Sequence, residues 1–280
     1  MTTLTNKIDF AVIISATKCN PNGDPLIENR PRTDYNEFGE ISDVCIKRKI
    51  RNRLQQNGEK IFVQSQDCAD DGFKSLSDRF NGVIKSKDKA EVAKLVCETW
   101  IDVRTFGQVF AFKAENKKGV SLGIRGPMSI QGAISVDPVI VTSMQIVKSV
   151  NSETKDGGEK SSDTMGTKQR VEFGLYKTFG SINADLAEKT GFSNEDSIKI
   201  KEALKTLFKN DSSSARPEGS MEIVKLIWWE HNSRGGQYPS AKVHRLLKIE
   251  KKNEIGHNAS DYEIKVDSLP NLKVEIIDGE

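Results

Sequence analysis

The sequence predicts an α+β fold, and three kinds of segment support this prediction. Residues 8–14 place apolar side chains at alternate positions, which is the period of a strand. Residues 43–54 and 194–210 instead repeat apolar side chains at the spacing of a helix. Four later segments are short, apolar and typical of strands: residues 222–230, 241–250, 261–266 and 271–277. Neither an internal repeat nor a clear linker divides these segments, so we expect one domain over residues 1–280.

Composition narrows the class of protein. The chain has 42 basic and 40 acidic side chains, so its net charge of +2 gives no global argument for nucleic-acid binding. Apolar runs are shorter than the ~18 residues of a membrane span, and the start MTTLTNKIDF lacks the layout of a signal peptide. Four cysteines occur without a CxxC pair: Cys19, Cys45, Cys68 and Cys97. We therefore expect reduced thiols in a cytoplasmic protein, with no membrane association, disulfide or zinc site.

The first strand leads into a turn-rich loop and then into a helix. Asn20-Pro21 and Asn22-Gly23 are consecutive turn signals. Ser42 is a suitable N-cap, because its hydroxyl can accept a hydrogen bond from a free N–H group of the first helical turn. The apolar side chains expected to face the core from this helix are Ile46, Ile50 and Leu54.

The remaining surface of this helix is strongly basic. Its cations are Lys47, Arg48, Lys49, Arg51 and Arg53. The sequence has no acidic residue between Asp43 and Arg53, so these cations have no neutralising neighbour along the helix. Such a face suits the phosphate backbone of a nucleic acid. A solvated charged face is the alternative interpretation.

Residues 55–141 are predicted to contain both irregular and regular segments. Residues 55–85 are polar and punctuated by glycine, which predicts an irregular insertion, and residues 88–99 return to a helical period. Residues 102–112 partly follow the RNP1 pattern of nucleic-acid-binding domains, although three positions break it, so we favour an apolar core segment. Residues 120–141 combine β-branched residues with glycine and proline, which predicts short, bent strands.

Residues 142–178 predict a long hairpin. Two strand-like segments, residues 144–151 and 170–179, flank about eighteen polar residues, and loops of that length are usually functional or disordered. Near the tip, Met165 is a flexible apolar side chain close to the cations Lys168 and Arg170. We expect a projecting hairpin that contacts a ligand, with a plain surface loop as the alternative.

The C-terminal third predicts a second core helix and a buried strand. Ser193 and Asp196 have the spacing of a capping box, followed by an apolar face that ends near Asn210. Trp228 and Trp229 point to opposite faces of their strand, so we expect one in the core and the other available for stacking or an interface.

Patterns for catalysis and metal binding are weak. His231, His244 and His257 lack metal-site spacing and are expected to be surface or strand histidines. The sequence contains no phosphate-binding glycine motif and no GxSxG elbow, and no nucleophile can be paired with a base. Asp24, between Gly23 and Pro25, has the context of a turn residue.

Several segments together resemble a known family. NPNGDP, RPRTD, SDVCIKRKIRN, GIRGPMSIQGAIS and SSDTMGTKQR resemble, in this order and spacing, the backbone subunit of the type I-C CRISPR Cascade complex. That family belongs to the RAMP superfamily of guide-RNA-binding proteins. The resemblance implies an RRM-like (ferredoxin-like) palm, a finger-like insertion at residues 55–100 and a protruding thumb hairpin at residues 142–178.

The resemblance also implies a function. The chain is expected to polymerise along a CRISPR RNA and present its bases to a target DNA strand, without catalysis, cofactor or metal. Its expected partners are CRISPR RNA, target DNA, other copies of itself and other Cascade subunits. The expected RNA contacts are Asn20, Asn22, Arg30 and Arg32 in the loop, Lys47, Arg48, Lys49 and Arg51 on the helix, and Met165, Lys168 and Arg170 in the thumb.

Two other classes of function stay open. Related type III subunits cleave RNA with a loop aspartate and a metal ion, so a metal-dependent RNA endonuclease that uses Asp24 is one alternative. The type I form of NPNGDP instead favours a turn role for Asp24. A protein-interaction module with a merely solvated basic helix is the other alternative.

Overall fold

The computed structural model describes residues 2–111, 121–147, 165–252 and 256–280. The strands are β1 (Ile8–Cys19), β2 (Gly23–Asp24), β3 (Arg30–Pro31), β4 (Phe38–Ile41), β5 (Gly107–Ala111), β6 (Ser121–Arg125), β7 (Met128–Ile130), β8 (Ala133–Pro138), β9 (Val141–Val147), β10 (Met165–Ile182), β11 (Met221–Glu230), β12 (Leu247–Lys251), β13 (Tyr262–Val266) and β14 (Lys273–Asp278). The helices are α1 (Asp43–Gln56), α2 (Leu76–Val83), α3 (Lys89–Thr99), α4 (Ile101–Phe106), α5 (Ala184–Thr190), α6 (Asn194–Lys205) and α7 (Ser240–His244).

One large antiparallel sheet organises the described residues. Its strand order is β14-β11-β1-β10-β8-β4, and β7 and β9 also pair with the long strand β10. Separate two-stranded sheets are formed by β12 with β13, β5 with β6, and β2 with β3. A mixture of helices with a large antiparallel sheet was predicted, and this mixture is confirmed.

Strand β1 is buried on both faces, although an apolar alternation such as that of residues 8–14 is typical of a strand with one buried face. Phe10, Val12 and Ile14 lie in one core cluster, whereas Ala11 and Ile13 lie in a second cluster on the opposite face. A second layer, which includes β12, β13 and α7, covers that opposite face. Apolar residues from both faces of β1 therefore contribute to the cores.

The two tryptophans of β11 are also buried on opposite faces of the sheet. Trp228 and Trp229 do point to opposite faces of β11, but each is buried, one in each core cluster. The expectation that one of them is available for stacking or an interface is therefore wrong, because both faces of the sheet are covered.

The two predicted core helices are confirmed, with their caps. Ser42 accepts a hydrogen bond from the Cys45 N–H group at the start of α1, and the predicted apolar face of this helix is buried. Ser193 and Asp196 form a reciprocal capping box at the start of α6, with aspartate in the position that usually holds glutamate or glutamine. Both helices pack on the same face of the central sheet.

The segment from residue 55 to residue 85 is more ordered than predicted. It contains helix α2, and Phe62 and Phe80 pack with Trp100 and Phe110 in a third core cluster. The buried Arg79 donates a hydrogen bond to the Phe62 carbonyl oxygen at 2.9 Å. The sequence hid this cluster because its apolar residues come from segments far apart in the chain.

Two further segments differ from the predictions in detail. Residues 102–112 are not one core segment, because α4 ends at Phe106 and β5 then begins at Gly107, where φ is +80°. Residues 241–250, predicted as one strand, divide into α7 and β12. All four cysteines are free. Among the described residues, no helix is long and apolar enough to cross a bilayer.

A buried polar cluster fixes α7 to the sheet. Asp9 of β1 is fully buried and lies 2.8 Å from Nε2 of His231. Nδ1 of His231 accepts a hydrogen bond from the Gln237 N–H group. The ring proton therefore lies on Nε2, which donates a hydrogen bond to the Asp9 carboxylate. His231 is therefore a buried structural residue, which corrects its assignment as a surface or strand histidine.

His244 of α7 completes this cluster. Its ring stacks on Phe179, and its Nε2 lies 3.2 Å from the Gly180 carbonyl oxygen and 3.7 Å from Asp9. Burial lowers the pKa of His244 below its usual value, although the nearby Asp9 carboxylate opposes this effect. The folded protein therefore holds His244 in its neutral form near neutral pH.

We predict that this histidine makes stability fall in mild acid. The pKa of His244 is lower in the folded than in the unfolded chain, so its contribution is complete above about pH 6.5 and is lost as pH falls below that value. The loss is at most about 1.4 kcal/mol per pH unit for this one group. Urea denaturation between pH 7 and pH 5 should show a shallower pH dependence for His244→Phe than for the wild type. Identical slopes would contradict the prediction. Asp9, whose pKa is also lowered, acts only at more acidic pH.

Candidate nucleic-acid interface

A loop and a hairpin leave the sheet at the same end of β1. The last β1 residue, Cys19, pairs with Val171 of β10, and residues 165–170 of β10 pair with β9 beyond that point. Six strand residues span about 20 Å, so the hairpin extends well past the end of β1. Residues 20–34, called here the 20–34 loop, directly follow Cys19. Strand β3 lies within this loop and packs against β10. The loop and the base of the hairpin are therefore neighbours.

The hairpin partly matches its prediction. Residues 144–147 of the first predicted strand lie in β9 and residues 170–179 lie in β10, and these strands pair antiparallel from Met165–Val147 to Val171–Val141. Residues 148–164, which include most of the predicted thumb tip, lie outside the described residues, and so does the side chain of Met165. The wedge role of Met165 stays a prediction.

Two asparagines hold the 20–34 loop in shape. Asn20 is buried, and its Nδ2 donates to the Asn29 carbonyl oxygen at 2.5 Å. Oδ1 of Asn22 accepts hydrogen bonds from both the N–H group and the hydroxyl of Ser42, each at 2.9 Å. Asn20 therefore stabilises the loop internally, and Asn22 joins the loop to the start of α1. Their assignment as RNA contacts stays a prediction.

Asp24 also serves the loop itself. Its Oδ1 accepts a hydrogen bond from the Leu26 N–H group at 3.0 Å and caps a short 3₁₀ helix, Pro25–Ile27. Its other oxygen lies 3.5 Å from the Arg32 guanidinium group. The predicted turn role is confirmed. Among the described residues, no three His, Cys, Asp or Glu side chains are grouped in a way that could hold a metal ion.

Three of the five cations of α1 form ion pairs, contrary to prediction, and the other two donate hydrogen bonds to neutral groups. Lys47 pairs with Asp43 at 2.9 Å, and the buried Lys49 forms a short ion pair with Asp211. The three arginines of the helix also have protein partners: Arg48 donates to the Val63 carbonyl oxygen, Arg51 to the Asp102 carboxylate and Arg53 to the Thr206 hydroxyl. Only 4% of the Lys49 side chain is exposed, so little of it is available to a ligand, and its assignment as an RNA contact stays a prediction.

Arg51 belongs to a buried structural junction. The Asp102 carboxylate accepts hydrogen bonds from the N–H groups of Phe62 and Val63, at 2.8 and 3.0 Å, and from Nε of Arg51 at 3.0 Å. The Arg51 guanidinium group also lies over the Phe106 ring, 5.0 Å from its centre. This junction joins α1 to α4 and to the start of the insertion. Arg51 is therefore a structural residue, which corrects the expectation that it offers a free positive charge.

The more available cations lie around the end of β1. In the 20–34 loop, Arg30 is half-buried with no ion-pair partner among the described residues, and Arg32 has only its 3.5 Å contact with Asp24. In the hairpin, Lys168 is half-buried, and no described acid forms an ion pair with it. Sequence reasoning missed Lys18, which is exposed near the end of β1 with a φ of +50°. The polar pair Thr17-Lys18, which follows the long apolar part of β1, could have indicated this exposed cation.

Arg170 is also at this end of the sheet but is partly occupied. Its guanidinium group pairs with Glu172 at 3.2 Å. A hydrogen bond from Thr142, with a further contribution from Arg170, holds the pKa of Glu172 below its usual range despite some desolvation. Glu172 is therefore ionised at neutral pH and offsets part of the Arg170 charge.

Exposed apolar side chains surround these cations. Leu26 and Tyr35 are almost fully exposed, and Ile27 and Val44 are largely exposed nearby in the loop and at the start of α1. The described part of the hairpin also exposes apolar side chains of β9: Met144, Ile146 and Val147. This end of the molecule can thus offer charge to phosphates and apolar area to bases or to another protein.

Comparison with known proteins supplies independent information. A family model described as CRISPR-associated protein Cas7 matches residues 6–267. A protein from Haloferax volcanii named CRISPR-associated protein Cas7 is 28% identical to this chain over an alignment 298 positions long. The alignment covers 99% of this chain and 82% of the relative.

Two solved structures also resemble the chain. The first, a chain of a CRISPR RNA-guided surveillance complex in a pre-nicking state, is 14% identical with a TM-score of 0.47 and coverage of 80% of this chain and 75% of that chain. The second, from a CRISPR RNA-guided surveillance complex, is 15% identical with a TM-score of 0.45 and coverage of 80% and 68%.

We predict that the Asp102 junction stabilises the fold, whereas the Lys47 pair does not. Asp102→Ala leaves a buried guanidinium and two buried N–H groups without their acceptor, which should cost about 3–5 kcal/mol of unfolding free energy. Asp43→Ala removes the partner of Lys47 from a more exposed pair and should cost under about 1 kcal/mol. Urea denaturation of both variants measures the difference. Equal losses would show that burial does not distinguish the two pairs.

Proposed function

The chain belongs to the Cas7 family of CRISPR-associated proteins, and from this premise we propose that it is a guide-RNA-binding backbone subunit of a type I Cascade complex. It binds CRISPR RNA without cutting it and presents the guide bases for pairing with a target DNA strand. The match over residues 6–267 carries this proposal, because it spans the 20–34 loop, the hairpin and every strand of the main sheet except β14.

The chemistry of the candidate interface suits binding that does not depend on sequence. Arg30, Arg32 and Lys168, with the missed Lys18, place positive charge around the end of β1. Guide sequences differ, so a backbone subunit needs contacts to phosphates, which carry no base information. Such contacts give affinity that falls steeply with salt.

The topology supports an RRM-like palm as part of the proposal. Along the chain, β1, α1, β8, β10, α6 and β11 follow one another, and their strands lie in the sheet order β11-β1-β10-β8. Both helices pack on one face of that sheet. We assign residues 55–100 as the finger-like insertion and residues 142–178 as the thumb, and we keep the type I-C subtype as part of this proposal.

The exposed apolar side chains of the loop suit contact between subunits. Leu26 and Tyr35 contribute large apolar surfaces that bind nothing within the described chain. A backbone subunit has other copies of itself and other Cascade subunits as partners, and such contacts would remove this surface from water. The complex would act in the cytoplasm, where CRISPR RNA is made and used.

We predict that the loop arginines, and not the helix lysine, carry RNA affinity. Arg30→Gln combined with Arg32→Gln should weaken binding of unrelated single-stranded RNAs to a similar extent. Loss of two phosphate contacts should reduce the slope of log K against log salt by about 1.4. Filter binding at several salt concentrations measures both effects.

The matched control is Lys47→Gln, because Lys47 already pairs with Asp43 and its loss should change the slope little. A wild type that binds no RNA would contradict the proposed function. A wild type that cleaves RNA in magnesium or manganese, with the activity lost in Asp24→Ala, would favour the endonuclease alternative instead.

We predict that the thumb is needed for assembly and not for folding. Replacing residues 153–164 by a Gly-Ser turn should leave the thermal melting of the protein nearly unchanged, because the main cores are formed by other residues. Ordered assembly on a guide RNA should be lost, as measured by analytical ultracentrifugation. Full-length assemblies formed by the shortened protein would refute the thumb assignment.

A further inference from the structure

We propose that Arg216 forms, with Arg32 and Ser220, a phosphate-binding site for the RNA backbone beside the 20–34 loop. This inference rests on the proposed function and extends it to residues 211–220, called here the 211–220 loop. Sequence reasoning placed no function in this loop, which precedes β11 in the C-terminal third of the chain.

The 211–220 loop packs directly on the start of the 20–34 loop. The Asn20 N–H group donates to the Ala215 carbonyl oxygen at 2.9 Å, and the Arg216 guanidinium group donates to the Asn20 carbonyl oxygen at 3.4 Å. Ser220 accepts a hydrogen bond from the Cys19 thiol through its carbonyl oxygen. Arg216 is thus anchored where the chain leaves β1.

Arg32 reaches the same region from the other side of the loop. Its N–H group donates to the carbonyl oxygen of Asn22, two residues from Asn20. Arg216 therefore bonds to the backbone of Asn20, and Arg32 bonds through its own backbone to Asn22, so one short stretch of the 20–34 loop contacts both arginines.

The two arginines are incompletely paired. The Asp211 carboxylate is already engaged by the buried Lys49, and Nε of Arg216 lies 3.9 Å from it, beyond hydrogen-bonding distance. Arg32 has only the 3.5 Å contact with Asp24. Both guanidinium groups thus keep capacity to donate, whereas Lys49 and Arg51 of α1 are held by acids.

Buried polar atoms without a partner are concentrated here. Among the described residues, no atom forms a hydrogen bond with four buried atoms of this region: Nε of Arg32, Nε of Arg216, Oγ of Ser220 and Oδ1 of Asn20. Buried donors are normally satisfied, and the first three of these atoms can donate to the oxygens of a phosphate. Arginine is well suited to this ligand because its planar group donates in a fork.

The proposed anion is held by directed hydrogen bonds and not by net charge. Arg32, Lys49 and Arg216 supply three positive charges, and Asp24, Asp211 and Glu218, an exposed residue that also lines the cleft, supply three negative ones. Arg216 also lines a small surface cleft with Ser212 and Ser220, and 27% of its side chain is exposed. A phosphodiester group at the cleft entrance can therefore reach this guanidinium group.

The test compares Arg216→Gln with Arg234→Gln in the full chain. Arg234 is the matched control, because it is held by two acids, Asp185 and Glu188, away from this loop. Arg216→Gln should weaken binding of unrelated single-stranded RNAs by about tenfold at low salt and reduce the salt slope by about 0.7. Arg234→Gln should match the wild type. Filter binding gives both quantities, and thermal melting checks folding.

A second variant tests the site without removing Arg216, whose loss could affect folding. Ser212→Asp adds a carboxylate at an exposed position of the same cleft, where it would occupy Arg216. It should weaken RNA binding in the same direction. Inorganic phosphate at millimolar concentration should compete with RNA equally well in Arg234→Gln and wild type, and less well in Arg216→Gln.

The outcomes separate this inference from the proposed function. A wild type without RNA affinity would refute the function itself. A wild type that binds RNA, with unchanged affinity and salt slope in both Arg216→Gln and Ser212→Asp, would refute only the phosphate site. Competition by free phosphate without any loss of RNA affinity in the variants would show a site for small anions and also overturn the assignment to RNA.

Discussion

The burial of β1 on both faces is the constraint on which the rest of the structure depends. β1 pairs with β10 on one side and with β11 on the other, so strands from the middle and the C-terminal third of the chain meet at its backbone. Its side chains enter both main core clusters. Because two faces must be covered, the chain needs a layer of helices on one face and α7, β12 and β13 on the other. Even the ionised Asp9 is accommodated there, through its hydrogen bond from His231.

This constraint also places the candidate interface. β10 continues past the end of β1, and the chain that leaves β1 must turn at that same point. The hairpin base, the 20–34 loop and the 211–220 loop therefore converge without any long-range pattern in the sequence. The loop keeps its shape through buried asparagine hydrogen bonds, so its arginines are presented by a fixed backbone.

The pairing of charges decides which cations are available. Helix α1 is rich in basic residues, yet Lys49 and Arg51 bond to acids brought from elsewhere in the chain. Removing such buried charges from water is costly, and their partners make them tolerable; these pairs therefore fix geometry more than they offer charge. The loosely paired arginines of the loops keep more of their capacity to donate.

The sequence by itself determined the local features of this protein. It predicted β1, α1, α6, their caps, the hairpin strands and the turn role of Asp24, because periodicity, capping and turn chemistry act within a few residues. Its ordered motifs also indicated the family. Only the tertiary structure decided that both tryptophans are buried, that residues 55–85 contribute to a core and that Lys49 and Arg51 of the basic helix pair with distant acids. The acids that bind Lys49 and Arg51 lie 162 and 51 residues away, and no local pattern reports a contact across such separations.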